Sequence, residues 1–154
     1  MYEQQDVEAL ERQFNTAMEE ADTGTALDAI RRVYDEFAGG DADTVAGLLH
    51  PKCEIHMESL FLDGKVYKGH KGFMTWRKEM EELFSEERFQ PEGIRFAGRD
   101  RWVVLGRLHV QGAEEGIVLD VPLAHVFEQR DKKVAQLTVY SDISKALESV
   151  GLPA

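Results

Sequence analysis

The feature that most limits the fold is a change of period near Cys53. Upstream, apolar residues return at every third or fourth position. From Cys53 the series Cys53, Ile55, Met57 alternates with Glu54, His56, Glu58, as a half-buried strand requires. A chain that opens on helical stripes and closes on alternating ones has to lay helices on a sheet, so the order predicts an α+β domain with its helices on one face. At 154 residues it can bury a continuous core without disulfides or a structural metal.

Val7, Leu10, Phe14, Ala17, Met18 and Ala21 predict a first amphipathic helix over residues 6–21. Leu27, Ile30, Tyr34 and Phe37 predict a second, ended by Gly39 and Gly40. Asp41 suits the N-cap of a short third helix that Pro51 closes, and Phe73, Trp76, Met80, Leu83 and Phe84 mark a fourth. Residues 94–97, 101–111, 117–128 and 134–140 then read as strands of an antiparallel meander, joined by the turns GRD, GAEEG and RDKK. Asp142 caps a closing helix, ISKALESV.

Eighteen Lys and Arg against 29 Asp and Glu leave a net charge of −11, which repels nucleic acid backbones and anionic membranes. The acidic, amphipathic N-terminus has none of the basic-then-apolar pattern of a signal peptide, so a cytoplasmic protein is expected. Cys53, the single cysteine, reads as a buried, inert thiol. Five histidines raise the question of a metal. If the GAEEG turn closes its hairpin, His125 falls opposite about Val103, six residues and about 20 Å from His109, so the two cannot share an ion. Neither metal nor cofactor is expected.

The phrases VYDEFAGGDADTVAGLLHP, VPLAHVFEQRDKKV and VYSDISKALESVGL, in this order of elements, resemble the SnoaL-like and ketosteroid-isomerase-like group, the nuclear transport factor two fold. The likeness spans about residues 26–152. It implies an added N-terminal helix, residues 1–24, before a cone-shaped domain, residues 25–154. In that domain helices pack on a strongly curved, mostly antiparallel sheet that encloses a pocket. The group holds isomerases, cyclases, dehydratases, epoxide hydrolases and non-catalytic proteins, so the fold does not choose among them.

The resemblance also implies which side chains face the pocket: Met57, then Val103, Leu105, Arg107 and His109, then Val121, Leu123 and His125, then Leu137 and Val139. Tyr34, Phe37, Phe73 and Trp76 come from the helices. An apolar pocket with a few polar groups is the profile of a small-molecule site. The ketosteroid isomerase base position falls on Met57, which cannot take a proton, its aspartate position on His125, and its tyrosine position on Val33, beside Tyr34. The epoxide hydrolase arginine position matches Arg107, while the two aspartate positions fall on His109 and Val139. A His109 base beside Arg107 is chemically workable, because imidazole titrates near neutrality and a guanidinium stabilises a developing oxyanion.

The expected function is therefore a protein that binds a small apolar metabolite and performs cyclisation, isomerisation or hydration with His109, Arg107 and His125. Tyr34, Phe37, Met57, Phe73, Trp76, Leu105, Leu123 and Val139 would line its site. A non-catalytic carrier or sensor and a protein-interaction module are the alternatives. His125 also reads as a core histidine, and Arg107 and His109 as solvent-facing. The strand at 102–110 is apolar on both parities at its start, and one helical layer covers one face, so a homodimer is expected to bury the other. Light scattering at micromolar concentration should give twice the 17.5 kDa chain mass; a monomer there counts against the dimer.

Overall fold

The computed structural model describes residues 12–13, 15–17, 23–38, 45–98, 100–113 and 116–153. Helix α1 spans Thr23–Ala38, strand β1 Leu49–Glu58, β2 Val66–Lys68, helix α2 Gly69–Leu83, β3 Phe84–Phe96, β4 Arg101–Gly112, β5 Val118–Arg130, β6 Lys133–Tyr140 and helix α3 Ile143–Ser149. The strands make one curled, unclosed sheet in the order β2-β1-β6-β5-β4-β3. Only β1 and β6 run parallel; the other neighbours are antiparallel.

The register places one row of apolar side chains across the inner face. Met57 pairs with Val139, Val139 with His125, His125 with Val104, and Val104 with Ile94, so the row crosses five strands. Directly paired residues share a face, which is why a polar His125 is carried into an otherwise apolar line. Helices α1 and α2 cover this face on two sides. Ala26 and Ile30 of α1 pack with Ile94, Trp102 and Val104, while Phe73 and Met80 of α2 pack with Ile55, Met57, Leu108, Leu123, Leu137 and Val139. Both helices bury the residues that their i, i+3 and i+4 stripes put on one side.

The outer face is partly covered by the chain itself. Ala146, Leu147 and Val150, in and just after α3, pack with Val103, Ala124 and Val126, and Leu105 packs against the same cluster. Asp142 caps α3 by accepting the Lys145 N–H, as its sequence position predicts.

β1, β2 and β3 depart from the sequence reading; β1 begins at Leu49 rather than Cys53, so Pro51, expected to close the third helix, lies within the strand. β3 starts ten residues earlier than expected, at Phe84, because the polar run SEERFQPEG pairs only on one side as an edge strand and tolerates Pro91 beside a bulge. β2 is a three-residue strand in a glycine-punctuated stretch. The turn at Asp131 and Lys132 closes with two non-glycine residues at φ 56° and 61°, the left-handed pair a two-residue hairpin needs. Residues 12–13 and 15–17 are helical, and Ala17 packs into the α1 cluster. The rest of the first helix and Asp41, the expected cap of the third, lie outside the described residues.

At Gly106 the neighbouring β3 leaves no room for a side chain. A Cβ there would stand 2.2 Å from the Gln90 carbonyl oxygen and 2.7 Å from Phe89 Cζ. Backbone cannot retreat from such a clash, so Gly106→Ala is expected to cost about 1–3 kcal/mol in urea unfolding. An unchanged midpoint would contradict the close approach.

Candidate functional site

Two cavities lie between the helices and the inner face of the sheet, and Tyr34, Trp76 and His125 border both. The larger has a volume of about 390 Å³. Its apolar wall includes Met57, Phe61, Met80, Phe84, Phe89, Leu108, Leu123 and Val139, and it also meets Asp35, Arg77, Glu81, Glu86, Glu87 and Arg88. The smaller, of about 150 Å³, lies toward Ile30, Cys53, Phe73, Trp102, Phe127 and Leu137. Burial raises the Cys53 thiol, which favours its uncharged form.

At the shared wall the Tyr34 hydroxyl and His125 Nδ1 form a short hydrogen bond. Helix α1 supplies the phenol and β5 the imidazole, 91 residues apart in sequence. His125 is 6% exposed, and its ring has the Phe89 ring centroid at 4.3 Å, with Phe127 edge-on at 6.1 Å. Burial pushes the imidazole down to about 3 and holds Tyr34 well above the usual phenol range, so both are neutral near pH 7. A phenol and a neutral imidazole carry two mobile protons. One lies in the mutual hydrogen bond, and the other remains a donor, on Nε2 if the phenol donates or on Oη if Nδ1–H donates. In both tautomers the pair offers one neutral hydrogen-bond donor in an apolar wall.

Of the residues expected from sequence, Tyr34, Met57, Phe73, Trp76, Leu123, His125 and Val139 border a cavity. The Phe37 side chain lies outside the described residues. Val103, Leu105, Arg107 and His109 are on the other face of the sheet. The cause is a one-residue difference in the β4–β5 register: Gly112, assigned from sequence to the turn, is the last residue of β4, and its N–H donates to the Ile117 carbonyl at 2.7 Å. This places His125 opposite Val104 rather than Val103, and one residue of register exchanges the two faces of a strand. Arg107 Nε instead donates to Asp120 Oδ1 at 2.7 Å, its side chain 45% exposed, and His109 is exposed beside it.

Phe89 and Glu87 are among the cavity residues that the sequence reading missed, because it left out the first ten residues of β3. Phe89 lies tilted against the His125 ring, and Glu87 borders the larger cavity. Glu87 is an exposed residue, open to solvent on one side and to the cavity on the other. Even so, burial first and then the neighbouring Glu81 raise its carboxyl to about 7, with Arg77 opposing. Among the described residues no three His, Cys, Asp or Glu side chains converge on a common metal position.

Residues 30–137 match the SnoaL-like domain family. The chain belongs to that family. Among solved structures, TerC co-crystallised with polyporic acid aligns with a TM-score of 0.65 at 23% identity, covering 80% of this chain and 95% of the other. A candidate SnoaL-like polyketide cyclase from Jannaschia sp. CCS1 aligns at TM-score 0.63 and 18% identity, covering 81% and 90%. A protein of ketosteroid isomerase-like fold from Catenulispora acidiphila, in complex with trimethylamine, aligns at 0.62 and 15%, covering 78% and 89%. At such identities the neighbours establish the fold of this SnoaL-like domain and nothing finer. No curated protein matches the chain.

The neutral state of His125 has a pH consequence. An unfolded histidine titrates near 6.5, and the folded one at about 3. Between those values the unfolded chain holds the extra proton, so this contribution to stability is complete above about pH 6.5 and is lost as the pH falls toward 3. Urea midpoints of wild type and His125→Phe at pH 7 and 4.5 check it. The wild-type midpoint should fall further on acidification, and equal falls would show that the ring is not held neutral.

Proposed function

We propose that this SnoaL-like domain binds a small, largely apolar molecule with a carbonyl end in the larger cavity and acts on it by acid–base chemistry of the cyclisation, isomerisation or hydration type. The observation that carries the reading is the Tyr34–His125 pair, a neutral donor set into an apolar wall. A fixed cation there would bind anions in general; a neutral donor in a dry wall favours a carbonyl oxygen and strengthens its hold as negative charge develops on that oxygen. Arg107 and His109 do not enter this reading, because they pair or stand exposed on the outer face. The neighbours named as polyketide cyclases agree with it in class. A second copy of the chain covering the outer face belongs to the same proposal, since Val118, opposite Gln111 on that face, leaves apolar surface exposed there, at 55%.

Trp76 borders both cavities and serves as the reporter. Titration with the bicyclic ketone 2-tetralone should quench tryptophan fluorescence saturably. Whichever of Tyr34→Phe and His125→Leu removes the donor that meets the ligand should weaken binding by about three- to tenfold, the worth of one buried hydrogen bond. Affinity unchanged in both variants would remove the pair from the site.

A further inference from the structure

We propose that Glu87 is the base of this cavity, the group that takes a proton from the carbon beside the ligand's carbonyl. The inference rests on the larger cavity being the ligand site, and it assigns a residue at none of the positions that the family resemblance carries over.

The geometry begins with a bulge. Phe84 pairs with Gly112 and Glu86 with Gln111, so one extra residue, Ser85, sits in β3 between them. A bulge reverses which side chains face inward beyond it. Consequently Glu87, rather than Glu86, lies directly opposite the buried Val110, and Phe89 opposite the buried Leu108. Both share the inner face with the apolar wall of the larger cavity. Glu87 and Phe89 are successive inward positions, about 7 Å apart along the strand, and Phe89 lies against the His125 ring. From the mouth inward the order is therefore a carboxyl, an aromatic ring and the neutral donor pair, a spacing that suits a ligand about one or two rings long.

The groups facing Glu87 set its behaviour. From α2 come Arg77 and Glu81, joined Nε to Oε1 at 3.1 Å; from α1 comes Asp35; along β3 stand Glu86 and Arg88. Opposite, β4 presents only Val110 and Leu108 on this face. Desolvation against the apolar wall and the Glu81 carboxylate oppose ionisation, and the Arg77 guanidinium favours it. The balance leaves a carboxyl that changes protonation close to neutrality, which is what a base that must later return its proton requires.

The step balances within the site. The carbon–hydrogen bond breaks, its proton passes to a Glu87 carboxylate oxygen, and its electron pair moves to the carbonyl oxygen as an enolate held by the remaining donor of Tyr34–His125. Returning the proton to another carbon completes an isomerisation. Attack of the enolate carbon on a second carbonyl of the same molecule closes a ring, and the Glu87 proton then neutralises the alkoxide.

Exchange of the protons beside the 2-tetralone carbonyl in deuterated water, followed by proton NMR across pH 5–9, tests the assignment. Wild type should accelerate exchange along a profile that rises through about pH 7. Glu87→Gln should lose that rise and about a hundredfold in rate, while its affinity for the ketone stays within about twofold of wild type. Glu87→Asp should recover part of the rate. Binding with no accelerated exchange, or exchange as fast in Glu87→Gln as in wild type, overturns Glu87 as the base and leaves the ligand site standing. Failure of the ketone to bind wild type overturns both.

Discussion

The pairing of β4 with β5, in the register that sets Val104 against His125, is the constraint on which the rest of the molecule depends. It sends Trp102, Val104, Leu108 and Val110 inward and Arg107 and His109 outward. A slip by one residue would expose those four apolar side chains, at about 1.5–3 kcal/mol each, and would carry a guanidinium into a wall without a partner for it. Burial thus specifies the register strongly, and the register in turn decides which polar groups reach the cavity. Here it admits His125.

Desolvation acts on three of the ionisable groups that border the cavity, Tyr34, His125 and Glu87, in the same sense. It keeps Tyr34 protonated, His125 deprotonated and Glu87 protonated to a higher pH than an ordinary carboxyl. Each group is pushed toward its uncharged form because the surrounding wall solvates charge poorly. The difference is depth. His125 and Tyr34 are enclosed by α1 and the sheet, whereas Glu87 stands where β3, the sheet edge, meets the cavity mouth, and a guanidinium lies close by. The deep pair therefore works as neutral donors, and the shallow carboxyl is free to titrate.

Much of this was legible in the chain. The stripes of α1 and α2, the alternation of β1, the meander of β4, β5 and β6, and the Asp142 cap each follow from local chemistry acting within a few residues. The inward positions Met57, Leu123, His125 and Val139 follow as well, from the family resemblance. The first ten residues of β3 were not legible, since an edge strand needs no second apolar face and their run of Ser, Glu, Arg and Gln reads as loop. Glu87 was hidden twice over, by the strand that carries it and by the bulge at Ser85 that turns it inward. The faces of Arg107 and His109 were misread for a smaller reason: whether Gly112 ends a strand or begins a turn is a single residue's difference with no signature in composition.

What the sequence determined by itself is therefore the order and kind of its elements and the family they belong to, because periodicity and capping are properties of neighbours in the chain. Only the tertiary structure decided which side chains meet. Tyr34 and His125 are 91 residues apart, and their contact depends on where α1 crosses a curved sheet whose register is settled by burial over its whole face. The candidate site is made of such long-range meetings, each set by the packing of surfaces that no short stretch of the chain contains.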